Sequence, residues 1–218
     1  MRKAPDRTGK KDTDWVTRKV HGIIDFSVRK RVSPYVFLVI NVLGAAAGGL
    51  VLAFSPLLTS WAAAILVFIF AICFRMGFSG LGGVVIRARE EKNEVDLIAK
   101  EIADRASDFI LFFGLYLGSL FIFQPMVILV AMLSAIPSLI SLAGAAHGVP
   151  RLEVGPFGRN ERSVAFVIAA FTIAEGYSPG EEVVYAVLLA FVGLGALLTS
   201  WKRFDLIREA ISAEKPKT

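Results

Sequence analysis

Hydrophobic and polar positions are strongly separated along this chain, with long apolar runs between short charged clusters. A helix needs about 20 mostly apolar residues to cross the hydrocarbon layer of a membrane. Five runs predict such helices: Pro34 to Phe54, Leu58 to Phe78, Phe109 to Phe123, Pro125 to His147 and Glu182 to Trp201. The helix of the third run is expected to begin earlier, from Leu97, and a shorter sixth run covers Ser163 to Tyr177. The pattern predicts an all-α integral membrane protein with six transmembrane helices.

The positions of the basic residues predict the orientation of these helices. Ten of the 24 Lys and Arg residues precede Ser33, and the others cluster near the ends of the second, fourth and sixth spans. Loops rich in Lys and Arg stay on the cytoplasmic side. If six spans cross, every basic residue lies on that side, whereas five spans would leave Lys202 and Arg203 outside. We therefore expect a protein integral to the cytoplasmic membrane with both termini in the cytoplasm.

The pattern also divides the chain into segments. Residues 1–13 are expected to form a disordered basic tail, 33–203 the six-helix membrane domain, and 204–218 a cytoplasmic tail. Residues 14–32 predict an interfacial amphipathic helix, with Trp15, Val20 and Phe26 on its apolar side and basic residues facing anionic headgroups. A disordered tail is the alternative for this segment.

Composition supports a membrane protein and limits the partners. Hydrophobic residues make up 55 % of the chain, more than a soluble domain of this size usually carries. The net charge of +5 does not predict nucleic-acid binding, because the basic residues border the membrane. Expected partners are the lipid bilayer and a second subunit, as a homodimer or a heteromer. Glycines at helix-packing spacing favour packing within one bundle, with a dimer interface as the alternative: Gly44, Gly48, Gly114 and Gly118.

Candidate chemistry concentrates between Gly77 and Asp108. This segment is first glycine-rich and then charged. Four of its charged residues are spaced by four, so on a helix they form a ladder on one face: Asp96, Lys100, Asp104 and Asp108. Ionisable groups at the mouth of a membrane bundle favour a functional site. A solvated helix extension held by ion pairs within the helix is the alternative.

Part of this segment resembles the signature of the CDP-alcohol phosphatidyltransferases, Asp-x-x-Asp-Gly-x-x-Ala-Arg-x₈-Gly-x-x-x-Asp-x-x-x-Asp. Gly83, Arg87 and Asp104 match its glycine, arginine and final aspartate. Further family-like segments are Arg31-Val32-Ser33-Pro34, Ile102-Ala103-Asp104-Arg105-Ala106-Ser107-Asp108, Gly158-Arg159-Asn160-Glu161-Arg162 and Trp201-Lys202-Arg203. The resemblance implies a six-span fold, a link to phospholipid biosynthesis and a CDP-linked lipid as the ligand.

The chain departs from that signature at its metal-binding positions. The resemblance implies that four aspartates hold Mg²⁺ or Mn²⁺ and that the last acts as a base, yet the first three positions are Ser79, Gly82 and Lys100. Divalent ions of this kind need oxygen ligands. A lysine about 6 Å from a dication would be repelled by roughly 5 kcal/mol at an effective dielectric constant of about 20. We therefore expect no metal, with Lys100 taking its place between Asp96 and Asp104, the two carboxylates that remain as candidate ligands.

Three functions follow from this pattern. The first is a pseudoenzyme that binds a lipid or nucleotide, or acts as a partner subunit. The second is an active transferase using Mg²⁺ or Mn²⁺ differently, with Asp104 as the base and Ser79, Gly83, Arg87 and Lys100 contacting the nucleotide or diphosphate. The third is a small transporter, which the nearly uncharged spans disfavour.

The remaining arginines are candidate phosphate or headgroup ligands. Arg75, near the end of the second span, is predicted either to snorkel to the interface or to reach inward and bind an anion. Arg151, Arg159 and Arg162 precede the fifth span, where family members with phosphorylated acceptors bind the phosphate. Their alternative role is to fix the topology.

Overall fold

The structure is a computed structural model that describes residues 22, 26–27, 29–57, 61–88, 94–149, 152, 154–174 and 179–214. For residues 56, 61, 87, 88, 94, 159, 160, 174, 179, 213 and 214 it describes the backbone alone. The described residues contain long helices and no strand. The predicted tail 1–13 and most of the predicted interfacial helix 14–32 lie outside the described residues.

Six long helices make up the described fold: α1 (Pro34–Phe54), α2 (Trp61–Ala88), α3 (Glu94–Gly118), α4 (Gln124–Ala146), α5 (Arg159–Ala174) and α6 (Pro179–Glu214). Prolines lie in the first turns of α1 and α4, where a helix has no need of the missing N–H. The early start of α3 confirms the expectation for the third run. At the other end of the chain, α6 continues as a helix beyond Arg203.

Apolar side chains cover the outside of the helices, as expected in lipid. Four helical segments are long and apolar enough to cross a membrane: Pro34–Phe54, Ala62–Ile86, Phe121–Ala146 and Gly180–Ser212. Phe70, Phe113 and Leu194 are exposed, whereas Arg75, Asp104 and Asp108 are buried. Such an inverted distribution is stable only where the surroundings are apolar. The chain is an all-helical membrane protein.

Glycines bring α1 and α3 into backbone contact. A Cβ atom added at Gly114 would overlap the backbone of Gly49, and one at Gly118 would overlap the carbonyl oxygen of Leu52. Gly44 and Gly48 likewise lie against α2 and α3, next to Arg75 and Leu111. Small residues at helix crossings allow this close approach. The predicted packing within one bundle is confirmed.

The connection between α4 and α5 is fixed to α6, and this positions the start of α5. Gly148, with a φ of +80°, ends α4 in a motif where Val149 N–H bonds to the carbonyl of Gly144. Farther along, Phe157 N–H donates to Thr199 Oγ1 on α6 at 3.0 Å. Arg203 donates to the carbonyl oxygens of Val154 and Pro137, both at 2.9 Å.

Candidate functional site

The charged face of α3 is turned into the bundle. Asp96, Asp104 and Asp108 are buried there, and Lys100 is partly buried. The predicted ladder on one face is confirmed, and a solvated extension is excluded because α1, α2 and α5 cover the carboxylates. Two groups of side chains form around the last two aspartates. We call them the outer cluster (Asn41, Ser79, Lys100, Asp104) and the inner cluster (Arg75, Arg105, Asp108, Arg162).

In the outer cluster, three helices direct donors at one carboxylate. Asn41 Nδ2 on α1 donates to Asp104 Oδ1 at 3.1 Å, and Ser79 Oγ on α2 donates to the same oxygen at 2.5 Å. Lys100 Nζ, one turn earlier on α3, pairs with Asp104 Oδ2 at 2.8 Å. Asp104 is 3 % exposed, so its charge is balanced by protein groups rather than by water.

The position of Lys100 differs in part from the prediction. The expected pairing with Asp104 is present, but no ion pair joins Lys100 to Asp96 among the described residues, and Asp96 interacts instead with the Tyr35 hydroxyl on α1. Lys100 therefore serves one carboxylate rather than bridging two. The interpretation of Lys100 as a replacement for a cation is retained for Asp104 alone.

The outer cluster does not fit a divalent cation. Its ammonium lies 2.8 Å from the carboxylate that would have to be a ligand. At Gly82, a Cβ atom would come within 3.2 Å of the Cβ of Phe37 on α1, so a side chain here would be in tight contact with the neighbouring helix. Within the described residues, no group of three or more His, Cys, Asp or Glu side chains lies together. The carboxylates described here therefore supply too few oxygen ligands for Mg²⁺ or Mn²⁺.

In the inner cluster, three guanidinium groups surround one carboxylate. Arg75 Nη2 pairs with Asp108 Oδ1 at 2.5 Å, while Arg105 Nη1 and Arg162 Nη2 pair with Oδ2 at 3.0 and 3.1 Å. Arg75 also donates to Ser163 Oγ at 3.4 Å. Since Arg75 is only 1 % exposed, the snorkelling prediction is wrong and the inward orientation is correct.

Electrostatics in the inner cluster are unbalanced. Arg105 is shared with Glu101 Oε1, at 3.2 Å from its Nε, but Arg75 and Arg162 have only Asp108 as a carboxylate partner among the described residues. The Nε–H groups of Arg75 and Arg162 are buried and find no hydrogen-bond partner in the described part of the chain.

The structure brings together some of the predicted site residues and not others. Ser79, Lys100 and Asp104 meet in the outer cluster, with Arg75 and Arg162 one turn deeper. Gly83 is buried in α2. The side chains of Arg87 and Arg159, and the whole of Arg151, lie outside what the structure describes. Arg162 borders a small apolar cavity between α3, α4, α5 and α6 instead of pointing into the loop.

Two site residues were missed in the sequence. Asn41 is buried in α1, with its amide on Asp104, and its signal was available: a lone amide in an otherwise apolar span. Arg105 belongs to the family-like segment but had no role assigned, since its partner Asp108 was known only as part of the ladder.

No protein-family model matches the chain, and no curated protein matches it. Among solved structures, the phosphatidylinositol phosphate synthase PgsA1 of Mycobacterium tuberculosis with CDP-DAG bound superimposes with a TM-score of 0.65 at 21 % identity, covering 87 % of this chain and 94 % of that one. This chain has the PgsA1 fold.

Two further PgsA1 structures agree. The complex with manganese and citrate gives a TM-score of 0.64 at 20 % identity, covering 87 % of this chain and 88 % of that one. The apo form gives 0.61 at 22 % identity, covering 86 % and 95 %. PgsA1 is a CDP-alcohol phosphatidyltransferase, so the likeness in fold agrees with the family that the sequence resembles.

Proposed function

We propose that this protein binds a CDP-linked lipid in the membrane without transferring its phosphatidyl group. The ion pair of Lys100 with Asp104, at 2.8 Å, carries this proposal. In this fold the metal supplies most of the electrophilic stabilisation in such a transfer. Because the Lys100 ammonium is held against Asp104, too few oxygen atoms are left beside it to coordinate a metal. The ion pair also stabilises the ionised carboxylate, which makes Asp104 a weaker base toward an acceptor hydroxyl.

A second observation points the same way, on the side where the resemblance places an acceptor. Arg162 is turned inward to Asp108 at 3.1 Å, and Arg203 is bound to two backbone carbonyls and Ser141. Of the basic side chains that the structure describes on this side, these two are directed at groups of the protein rather than at the cytoplasm. This orientation is consistent with binding of the lipid substrate without transfer to an acceptor.

We further propose that all six helices cross the membrane, with both termini in the cytoplasm. α3 is less apolar than the four longest apolar helical segments because its first half carries the buried ladder. Its 25 residues nevertheless extend about 37 Å, long enough to cross the membrane. α5 has 16 residues, about 24 Å, and packs against α2 and α6 inside the bundle. Single cysteines at Thr13 and Ser212, in the Cys73→Ser background, should both react only from the cytoplasmic side of oriented vesicles.

The transfer itself is tested by measuring CMP release. Purified protein in lipid nanodiscs is incubated with CDP-diacylglycerol, a panel of alcohols and Mg²⁺ or Mn²⁺. We expect retention of the CDP-lipid without CMP release. Turnover that disappears in Asp104→Asn would contradict the proposal and establish an active transferase with Asp104 as its base. Failure to bind any CDP-lipid, together with a membrane subunit that repeatedly co-purifies, would favour the partner role instead.

A further inference from the structure

The inner cluster carries more positive charge than its carboxylates balance. Asp108 and Glu101 together face three guanidinium groups, from Arg75, Arg105 and Arg162. Arg75 is 1 % exposed and Arg162 is 5 % exposed, so water does not make up the difference. A buried charge without full compensation is strongly destabilising. Among the residues that the structure describes, one negative charge is therefore missing at this point in the bundle.

Unused hydrogen-bond donors accompany the surplus charge. Arg75 Nε–H and Arg162 Nε–H are both buried without a partner among the residues that the structure describes. Nearly all buried polar groups in folded proteins are hydrogen-bonded, and each exception requires an explanation. A guanidinium group is well suited to bind phosphate oxygens, because its planar array of N–H groups matches their geometry. Both the charge and the donors point to an anionic oxygen ligand.

We propose that the inner cluster binds a phosphate group directly, with Arg75 as its main ligand and without a divalent cation. This rests on the proposed function, since a CDP-linked lipid would bring the phosphate. Arg75 lies one turn before Ser79 on α2, so the inner cluster is about 6 Å deeper than the outer one. A cation is repelled by the surplus charge, whereas a phosphate is attracted by it. The protein's own arginines thus replace the metal in anion binding.

The test measures binding rather than turnover. Full-length protein in phosphatidylcholine nanodiscs is titrated with CDP-diacylglycerol, CDP, phosphatidic acid and inorganic phosphate, in EDTA and in Mg²⁺. We expect the phosphate-bearing ligand to bind equally well in both. Comparison of the four ligands identifies the source of the phosphate: a nucleotide diphosphate, a lipid monoester or the free ion.

Substitution of Arg75 is the decisive variant. Arg75→Gln leaves Asp108 paired with Arg105 and Arg162, so the protein should still fold. We expect binding to weaken at least tenfold, which corresponds to about 1.4 kcal/mol. Arg75→Lys keeps the charge but loses the planar array of N–H donors, so its affinity should lie between those of the unchanged protein and Arg75→Gln. Arg208→Gln, which removes an arginine that is paired with Asp205 and mostly exposed, should bind within twofold of the unchanged protein.

Each outcome bears on the proposal. Binding that requires Mg²⁺, or a folded Arg75→Gln variant that binds as tightly as the unchanged protein, overturns the phosphate site but leaves the proposed function standing. Inorganic phosphate that binds through Arg75 while no CDP-linked ligand binds supports the site and overturns the proposed function. Absence of binding by all four ligands overturns both.

Discussion

Asp104 and Asp108 lie one helical turn apart on α3, yet their surroundings differ in charge. Asp104 faces one ammonium and two neutral donors, so the positive and negative charges of the outer cluster balance. Asp108 faces three guanidinium groups, two of which keep an unused N–H. Two carboxylates on neighbouring turns of one helix can therefore be held by opposite balances of charge. Asp104 is neutralised by a lysine on its own helix, whereas Asp108 holds three arginines in a site with net positive charge.

The largest effect is expected from Asp108→Asn. This change removes the carboxylate that holds three guanidinium groups from α2, α3 and α5, and breaking a buried pair in this way costs about 3–5 kcal/mol. We expect a large fall in melting temperature in detergent. Asp205→Asn, at a mostly exposed pair with Arg208, is the matched control and should have little effect. Equal melting temperatures for the two variants would mean that Asp108 does not organise the inner cluster.

A smaller effect, largest at the outer cluster, is expected from Gly114→Ala. The added methyl overlaps the backbone of Gly49 and pushes α1 away from α3, at a cost of about 1–3 kcal/mol. Because α1 supplies Asn41 to the outer cluster but reaches the inner one through the contact of Gly44 with Arg75, ligand binding through Arg75 should weaken less than in Arg75→Gln. Gly80→Ala, where no atom lies within 4 Å of the added methyl, is the control for helix propensity. Loss of anion binding in Gly114→Ala alone would show that the clusters are not separable.

The two clusters should also respond differently to metal after Lys100→Asp. This change removes the resident ammonium and adds a carboxylate between Asp96 and Asp104 on one helical face. We expect Mn²⁺ to stabilise this variant, by about 1.4 kcal/mol at ten times its Kd, and to leave the unchanged protein unaffected. Lys100→Ala separates loss of the amine from gain of the ligand. Stabilisation of the unchanged protein by Mn²⁺ would refute the interpretation that the Lys100–Asp104 pair leaves no metal site in the outer cluster.

The smallest effect is expected from Ser79→Ala. Asp104 keeps Asn41 and Lys100 as donors in this variant, so the loss should be about 1 kcal/mol. Thermal unfolding of Ser79→Ala beside Ser212→Ala, an exposed serine that bonds only to its own helix, measures it. A loss of 3 kcal/mol or more would mean that Ser79 contributes more to the outer cluster than its bond to Asp104 accounts for.

Most of the architecture could be predicted from the sequence, because the span lengths and the apolar periodicity are local properties. The ladder on α3 followed from spacing by four, and the glycine contacts followed from small residues at helix-packing intervals. The partners of the ladder could not be predicted in the same way. Arg75 and Arg162 are 87 residues apart in the chain, and only the packing of α2 against α5 brings them to the same carboxylate.

Local sequence also could not indicate which carboxylate Lys100 would choose. Asp96 and Asp104 are each four residues away, and spacing treats them alike. The two carboxylates differ in what α1 places beside them: the Tyr35 hydroxyl interacts with Asp96, whereas the Asn41 amide donates to Asp104. The partner that Lys100 takes on α3 therefore depends on α1, and no pattern along α3 alone contains that information.

The contact between Gly82 and Phe37 bears on whether a metal site could be built into the outer cluster. Aspartates introduced at Ser79 and Lys100 would replace side chains that already lie at the mouth of the bundle. An aspartate at Gly82 would in addition need room from α1, because its Cβ atom would lie 3.2 Å from the Cβ atom of Phe37, which would have to give way by a few tenths of an ångström. Engineering a metal site at these positions would therefore call for an adjustment in α1 as well as new ligands on α2 and α3.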